Sequence, residues 1–304
     1  MFGGRSSGLD ALLHRPRRTP WQEFWREPFV FIARWLYSTR PVVPAEPLAN
    51  PVSVVCISDT HNSQPDLPDS DLLIHAGDLT QSGSLKELQQ AINWLRSQPH
   101  RHKVVVAGNH DLLLDTTCDR NRLAAESEKA QLDWGDVTYL EDAETTITCA
   151  NGRRLRIYGS PKSARHGNWA FQYPRSQDAW ASSVPEGVDI LITHGPPRSH
   201  LDLLHLGCVH LLRELWRVRP SLHVFGHVHE GYGQEWLQFD SLQEAYEQTI
   251  IDKGGLWNAL KVLREYLSSR YLSSSLEAKC RLVNPSMVGG LRDDQRRRPV
   301  KVEI

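Results

Sequence analysis

An α/β fold is predicted by three features of this 304-residue chain. Apolar runs of strand length at 52–57, 71–76 and 103–107 alternate with loop and helical stretches, the βαβ logic of a mostly parallel sheet with helices on its faces. Two further runs, 145–150 and 153–158, flank Asn151-Gly152, a strong hairpin signal, so antiparallel strands join the parallel ones. Five short polar motifs each follow an apolar run, and in an α/β sheet the residues past the carboxyl ends of strands converge on one crevice.

The elements follow in order. Residues 1–20 are Arg-rich and broken by Pro, with no apolar secretory core. Residues 21–37 carry three Trp and three Phe with basic neighbours. The plain reading is an arm packed against the domain; the second is an interfacial helix making weak contact with a membrane surface. An organelle presequence is a third reading, opposed by Asp10, Glu23 and Glu27. Pro41, Pro44 and Pro47 mark a linker. A helix is predicted over 84–97, where Leu85, Leu88, Ile92 and Leu95 share a face, and another over 208–217 before a strand at 222–226. Residues 234–276 read as a helical excursion. Ser241 and Glu244 have capping-box spacing, and Leu256, Leu260, Leu263 and Leu267 form a helical stripe before a Ser-rich break. The chain returns through Arg281–Asn284 to a last strand near 299–303. The expected organisation is an arm and linker over 1–50 and one domain over 51–304 that contains the excursion.

Apolar residues make up 40% and charged residues 23% of the chain, enough for a sizeable core. The net charge of −1 offers no strong nucleic-acid signal. Five Cys, odd in number and never spaced C-x-x-C, fit reduced thiols in an intracellular, cytoplasmic setting. No segment is apolar enough over the length needed to span a bilayer.

The polar motifs are Asp59-Thr60-His61, Gly77-Asp78, Gly108-Asn109-His110-Asp111, Thr193-His194-Gly195 and Gly226-His227-Val228-His229. Asp59 and His61 lie two apart on an extended segment, as do His227 and His229. Asp78 has the lone pairs to bridge two cations. An isolated Asp after a strand is commonly a helix cap, and an isolated His commonly structural. Capping does not explain the whole series. Such mixed donors suit a pair of divalent ions, manganese, iron or zinc rather than calcium. Two cations about 3.5–4 Å apart can clamp a phosphate oxygen and acidify water. His75 and His223, inside strands, read as core or supporting residues. Arg165, His166, Arg198 and His200 read as loop charge or phosphate contacts, Trp169 and Phe171 as packing or base-stacking rings, and Gly289-Gly290 as a turn. No Walker-type phosphate loop occurs.

In this order and spacing the motifs resemble those of the calcineurin-like metallophosphoesterase superfamily, over residues 52 to about 233. The stretches Leu73–Thr80, Ile157–Pro161, Leu191–Pro197 and Val224–Gly233 resemble most the metallophosphoesterase-domain-containing proteins. The resemblance implies a four-layer β-sandwich of mixed sheets flanked by helices. It places one metal on Asp59, His61, Asp78 and His229 and a second on Asp78, Asn109, His194 and His227. His110 would protonate the leaving group, with Asp111 orienting it. In animal members the first His of Gly-His-x-His is Gly; His227 stands here. The implied activity is hydrolysis of a small phosphoester, expected to be a nucleotide-like or other small diester, through a hydroxide bridging the metals. The alternatives are a phosphomonoesterase or a metal-binding scaffold with vestigial activity. Protein Ser/Thr phosphatases continue Gly-Asp toward Asp-Arg-Gly, whereas Asp78 is followed by Leu79-Thr80-Gln81. A DNA nuclease is opposed by the neutral charge.

Overall fold

The computed structural model describes residues 19–40, 50–116, 122–271, 278–290 and 294–304, which divide into two units. The larger takes the described residues of Val42–Asp240 and Ser274–Ile304, the smaller those of Met1–Pro41 and Ser241–Ser273. The linker prolines and residues 272–275 of the Ser-rich break lie outside the described residues.

The strands are β1 (Ser53–Ile57), β2 (Leu72–Ala76), β3 (His102–Val106), β4 (Val137–Leu140), β5 (Ala143–Thr148), β6 (Arg154–Ser160), β7 (Ser163–Ala164), β8 (Gln172–Tyr173), β9 (Ile190–Thr193), β10 (Leu222–Val224), β11 (Gly233–Gln238), β12 (Lys279–Asn284), β13 (Val288–Gly289), β14 (Gln295–Arg296) and β15 (Val300–Glu303). The helices are α1 (Pro20–Arg26), α2 (Pro28–Ser38), α3 (Leu85–Ser97), α4 (Arg122–Lys129), α5 (Val209–Val218), α6 (Ser241–Ile251) and α7 (Leu256–Tyr271).

In the larger unit β1 to β4 run parallel in order, with β15 antiparallel against β1. A second sheet has the order β11-β12-β10-β9-β6-β5, parallel in its middle and antiparallel at both edges. The Asn151-Gly152 turn sits in the β5–β6 hairpin, with Gly152 at φ +83°. Strand side chains alternate between faces. Val54, Ile74 and Val104 of the first sheet therefore meet Leu155, Ile157, Ile192 and Val224 of the second in one buried core. Val55, Leu73 and Val105 point the other way, onto Ala91 and Leu95 of α3. That helix starts where Ser84 accepts from the Glu87 N–H and Glu87 accepts from the Ser84 N–H, a reciprocal cap. Helices outside face-to-face sheets make a four-layer α/β sandwich. The carboxyl ends of β1, β2 and β3 and of β9 and β10 carry the five polar motifs.

In the smaller unit, arm helices pack on excursion helices. Tyr37 of α2 stacks on Tyr246 of α6 at 3.9 Å and donates to Gln243 Oε1 at 2.7 Å. Thr39 reaches the Tyr266 hydroxyl of α7 at 3.3 Å. Val30, Ala33, Leu36, Ile250, Val262 and Tyr266 are buried. Two features depart from the sequence reading. The excursion's first residues are strand β11, a member of the second sheet. Ser241 is the first residue of α6, and its hydroxyl donates to Glu265 at 2.8 Å. Among the described residues no helix is long and apolar enough to cross a membrane. Cys56, Cys149, Cys208 and Cys280 are free and buried.

Candidate metal centre

The five motifs meet where the ends of the two sheets face each other. Asp59, His61 and His229 can present donor atoms to one point, and Asp78, His194 and His227 to a second. Asp78 joins them: its Oδ2 lies 3.8 Å from His61 Nε2 and 3.4 Å from His194 Nε2. His229 Nε2 lies 3.4 Å from Asp59 Oδ1. Asn109 Oδ1 lies 3.0 Å from His194 Nε2. All seven expected ligands are thus in one place.

Backbone conformation aims these side chains. Asp59, His61, Asp78 and His227 have φ of 52°, 43°, 54° and 68°, left-handed values that cost a non-glycine residue roughly 1–3 kcal/mol each. Four such residues in one site are over-determined by their surroundings. The glycines of the motifs have a different task. A Cβ on Gly226 would collide with Ser58 Oγ and Asp59 Oδ2, and one on Gly108 with the Asp78 backbone and carboxylate. Only glycine lets these loops approach so closely.

Neutral histidines brace the loops. Thr60 donates to the Leu79 carbonyl, so its oxygen accepts from His75 Nε2 at 2.9 Å, while His75 Nδ1 accepts from the Gly77 N–H. Burial pushes His75 down to about 3. His223 does the same for Thr193, whose hydroxyl also donates to the Gly195 carbonyl. Neither histidine is in either donor cluster.

The donor chemistry fits cations. Both ring nitrogens of the half-buried His61 are shielded from solvent, and neither has a hydrogen-bond partner among the described residues. His194 Nδ1 must donate to the Ala76 carbonyl at 3.0 Å, which leaves the Nε2 lone pair facing Asn109 Oδ1. Two acceptors at 3.0 Å need positive charge between them. A proton can supply it: burial alone would lower the His194 pKa, but the Asp78 charge and hydrogen bond raise it to about 9. A divalent ion can supply it as well. Burial alone would likewise raise the Asp78 and Asp59 pKa values. The charge of His194 beside Asp78 and the hydrogen bond from His229 to Asp59 instead hold both below the usual carboxylate range. Burial pushes His227 down to about 3, which keeps its imidazole neutral for coordination.

His110 forms a further donor group with His61 and Asp78. Its N–H donates to Asp78 Oδ1 at 2.7 Å, and its Nδ1 donates to the Gln81 carbonyl at 2.8 Å. Its ring stacks on Trp169 at 4.4 Å and lies edge-on to His61. Asp111, expected beside His110 as its orienting carboxylate, has both oxygens occupied elsewhere. They accept from the Gly108, Leu79 and Thr80 N–H groups and the Thr80 hydroxyl. Burial, then the charge of Asp78, push Asp111 up to about 6 despite those donors. Asp111 is a brace between the Asp78 and Asn109 loops.

Of the loop residues, His166 faces His227 at 4.7 Å. His200 is fully buried and paired with Glu235, and Arg198 binds the His205 carbonyl. Sequence reasoning missed Ser286, whose hydroxyl lies 2.8 Å from Asp59 Oδ2 and 2.7 Å from Asn284 Oδ1. The signal was available: Asn284-Pro285-Ser286 is one more polar cluster after an apolar strand.

This fold and donor set define a scaffold suited to a pair of metal ions, and the family profile agrees. The chain belongs to the calcineurin-like phosphoesterase family, whose profile matches residues 52–231. It is 42% identical over 301 residues to the "Probable rhamnogalacturonate lyase C" of Emericella nidulans, covering 97% of this chain and 29% of that protein. It is 42% identical over 204 residues to human metallophosphoesterase domain-containing protein 1, covering 59% of this chain and 61% of that one. The chain thus spans less than two thirds of either relative. A solved phosphopantetheinyl hydrolase from Mycobacterium tuberculosis aligns at a TM-score of 0.43 and 18% identity, over 61% of this chain and 85% of that one.

Proposed function

We propose that the chain is a metal-dependent phosphodiesterase acting on a small, nucleotide-like diester in a reducing intracellular compartment. The observation that carries the reading is the pair of donor clusters that Asp78 joins, its Oδ2 lying 3.8 Å from His61 Nε2 and 3.4 Å from His194 Nε2, with the His110 backbone N–H bonded to the same carboxylate. One ion would be held by Asp59, His61, Asp78 and His229, the other by Asp78, Asn109, His194 and His227. Bound divalent ions, of which manganese is the first to test, neutralise phosphate charge and bring water toward deprotonation at neutral pH.

The chain's own residues supply the rest. The Gln81 carbonyl fixes the His110 proton on Nδ1, so Nε2 is the atom that can carry a second proton to a departing oxygen. The Trp169 ring holds the imidazole plane and keeps water from one face. Among the described residues the rings of His110, His166 and Trp169 flank the clusters. Such walls suit a singly charged diester carrying an organic group better than a doubly charged monoester. The lyase name of the fungal relative is not carried over, because the aligned region is the one holding the phosphoesterase motifs.

The experiment is a screen of metal-reconstituted protein against cyclic nucleotides, linear diesters and monoesters, with Asp78→Asn as control. Diester turnover that disappears with both bound metals in Asp78→Asn is the expected result. Turnover confined to monoesters, or metal binding with no turnover at all, overturns it.

A further inference from the structure

The helices of the smaller unit carry exposed apolar side chains on faces that no described residue covers. Trp21 and Trp25 of α1 are 66% and 65% exposed, and Trp35 of α2 is 61% exposed. Helix α7 has two apolar stripes. Ala259, Val262 and Tyr266 point into the unit, whereas Leu260, Leu263 and Leu267 point out. A surface helix of a globular protein ordinarily puts charge on its outer face. Trp257, at the start of α7, is 81% exposed. These elements adjoin: the Gly254 turn before α7 lies against Phe29 and Val30 of α2. An exposed apolar surface rimmed by polar residues marks an interaction site.

Its chemistry selects the occupant. Between residues 15 and 34 the sequence has five arginines against two glutamates, with Arg15, Arg17 and Arg18 leading directly into α1. Arg26 and Arg34 lie on the arm helices, 3.7 and 3.8 Å from Glu27 and Glu23. Lys261 and the largely exposed Arg264, which is paired with Glu265, border the leucine stripe. The surplus of positive charge thus comes from Arg15, Arg17, Arg18 and Lys261. Tryptophan is enriched where a membrane meets water, because its ring is apolar and its N–H is wet. Basic residues beside an apolar helical face add attraction to anionic headgroups. No described helix can cross a bilayer, so the unit would lie on one. We propose that this helical unit docks on an anionic lipid surface through its tryptophans and the outer leucine stripe of α7.

The test is co-sedimentation of the full chain with phosphatidylcholine vesicles, with or without phosphatidylserine. The wild type should pellet with the anionic vesicles, less with the neutral ones, and less again in high salt. Combined Trp21→Ser, Trp25→Ser and Trp257→Ser should weaken partition about tenfold or more, since each ring loses its burial in lipid. The substituted side chains are exposed, so circular dichroism and esterase activity should stay unchanged. A Leu260→Ser and Leu263→Ser variant should weaken partition on its own. The proposal is overturned if the wild type stays in the supernatant, or if the tryptophan variant still pellets. It is also overturned if light scattering finds a dimer in solution that the same substitutions dissociate, for then a second copy covers the face.

Discussion

The Asp111 carboxylate accepts both the backbone N–H and the hydroxyl of Thr80, at 3.0 and 2.8 Å. The same group accepts from Gly108 at 2.8 Å, so one buried carboxylate ties the loop holding Asp78 to the loop holding Asn109. Asp111→Ala leaves those donors buried and unpaired, at roughly 1–3 kcal/mol for each unsatisfied group. We expect a fall in thermal stability and weaker metal retention, with the rate loss equal for good and poor leaving groups. A loss that grows with leaving-group pKa would return Asp111 to the role of orienting His110.

His110 should behave differently. His110→Ala is expected to keep its metals and lose roughly 10²–10⁴-fold in rate, the span of general acid–base catalysis. The loss should shrink when the leaving group is nitrophenolate, which needs no proton. Trp169→Leu removes a stacking partner of about 0.5–1.5 kcal/mol, so a loss of several-fold to about tenfold is expected, with the same leaving-group dependence. Metal analysis of dialysed protein beside a leaving-group series checks both. A His110→Ala protein depleted of metal would make His110 a ligand, a position its nearness to His61 and Asp78 permits.

The two donor clusters were legible because the seven candidate ligands follow five strands in turn, and parallel strands deliver their carboxyl ends to one edge. What was not legible is what faces what. The neighbours His110 and Asp111 both reach the loop after Asp78, yet at different atoms and for different tasks: His110 meets the Gln81 carbonyl, Asp111 the Leu79 and Thr80 N–H groups. The stripe Leu256, Leu260, Leu263 and Leu267 announces an apolar face without saying whether anything covers it, and here the buried face is the other one. Left-handed backbone at Asp59, His61, Asp78 and His227 is only weakly signalled by residue type: Asp and His enter that region more often than other non-glycine residues, but far less readily than glycine. Packing of the arm on the excursion joins segments about two hundred residues apart, beyond the reach of periodicity.

His223 gives the stability of the protein a pH dependence of known sign. Burial, and secondarily the nearby His200, push it down to about 3, against about 6.5 in an unfolded chain. Between those values the unfolded state binds the extra proton, so His223 lowers stability as pH falls below about 6.5, by about 1.4 kcal/mol per unit. His223→Gln can keep a donor toward Thr193 and removes the titration. From pH 7 to pH 5 the wild type should lose about 2 kcal/mol more than the variant in urea melts of chelator-treated protein. Parallel losses would mean that His223 takes up its proton inside the fold.

The last expectation sets stability against function at one residue. His227 sits at φ +68°, where a side chain strains the backbone by about 1–2 kcal/mol and glycine does not. Its imidazole, held neutral by burial, belongs to the cluster with Asp78 and His194. His227→Gly should therefore relax the loop while removing a ligand. Chelated His227→Gly should be about 1 kcal/mol or more stable than chelated His227→Ala, which keeps the strain. Both variants should need far more added Mn²⁺ for activity, since losing even a supporting partner of a ligand costs about 10–100-fold in affinity. The ion on Asp59, His61, Asp78 and His229 should survive dialysis in both. Metal titrations of activity, metal content and urea melts on the three proteins check each part. An unchanged Mn²⁺ requirement would remove His227 from the metal site, and equal stability of the two variants would remove the strain.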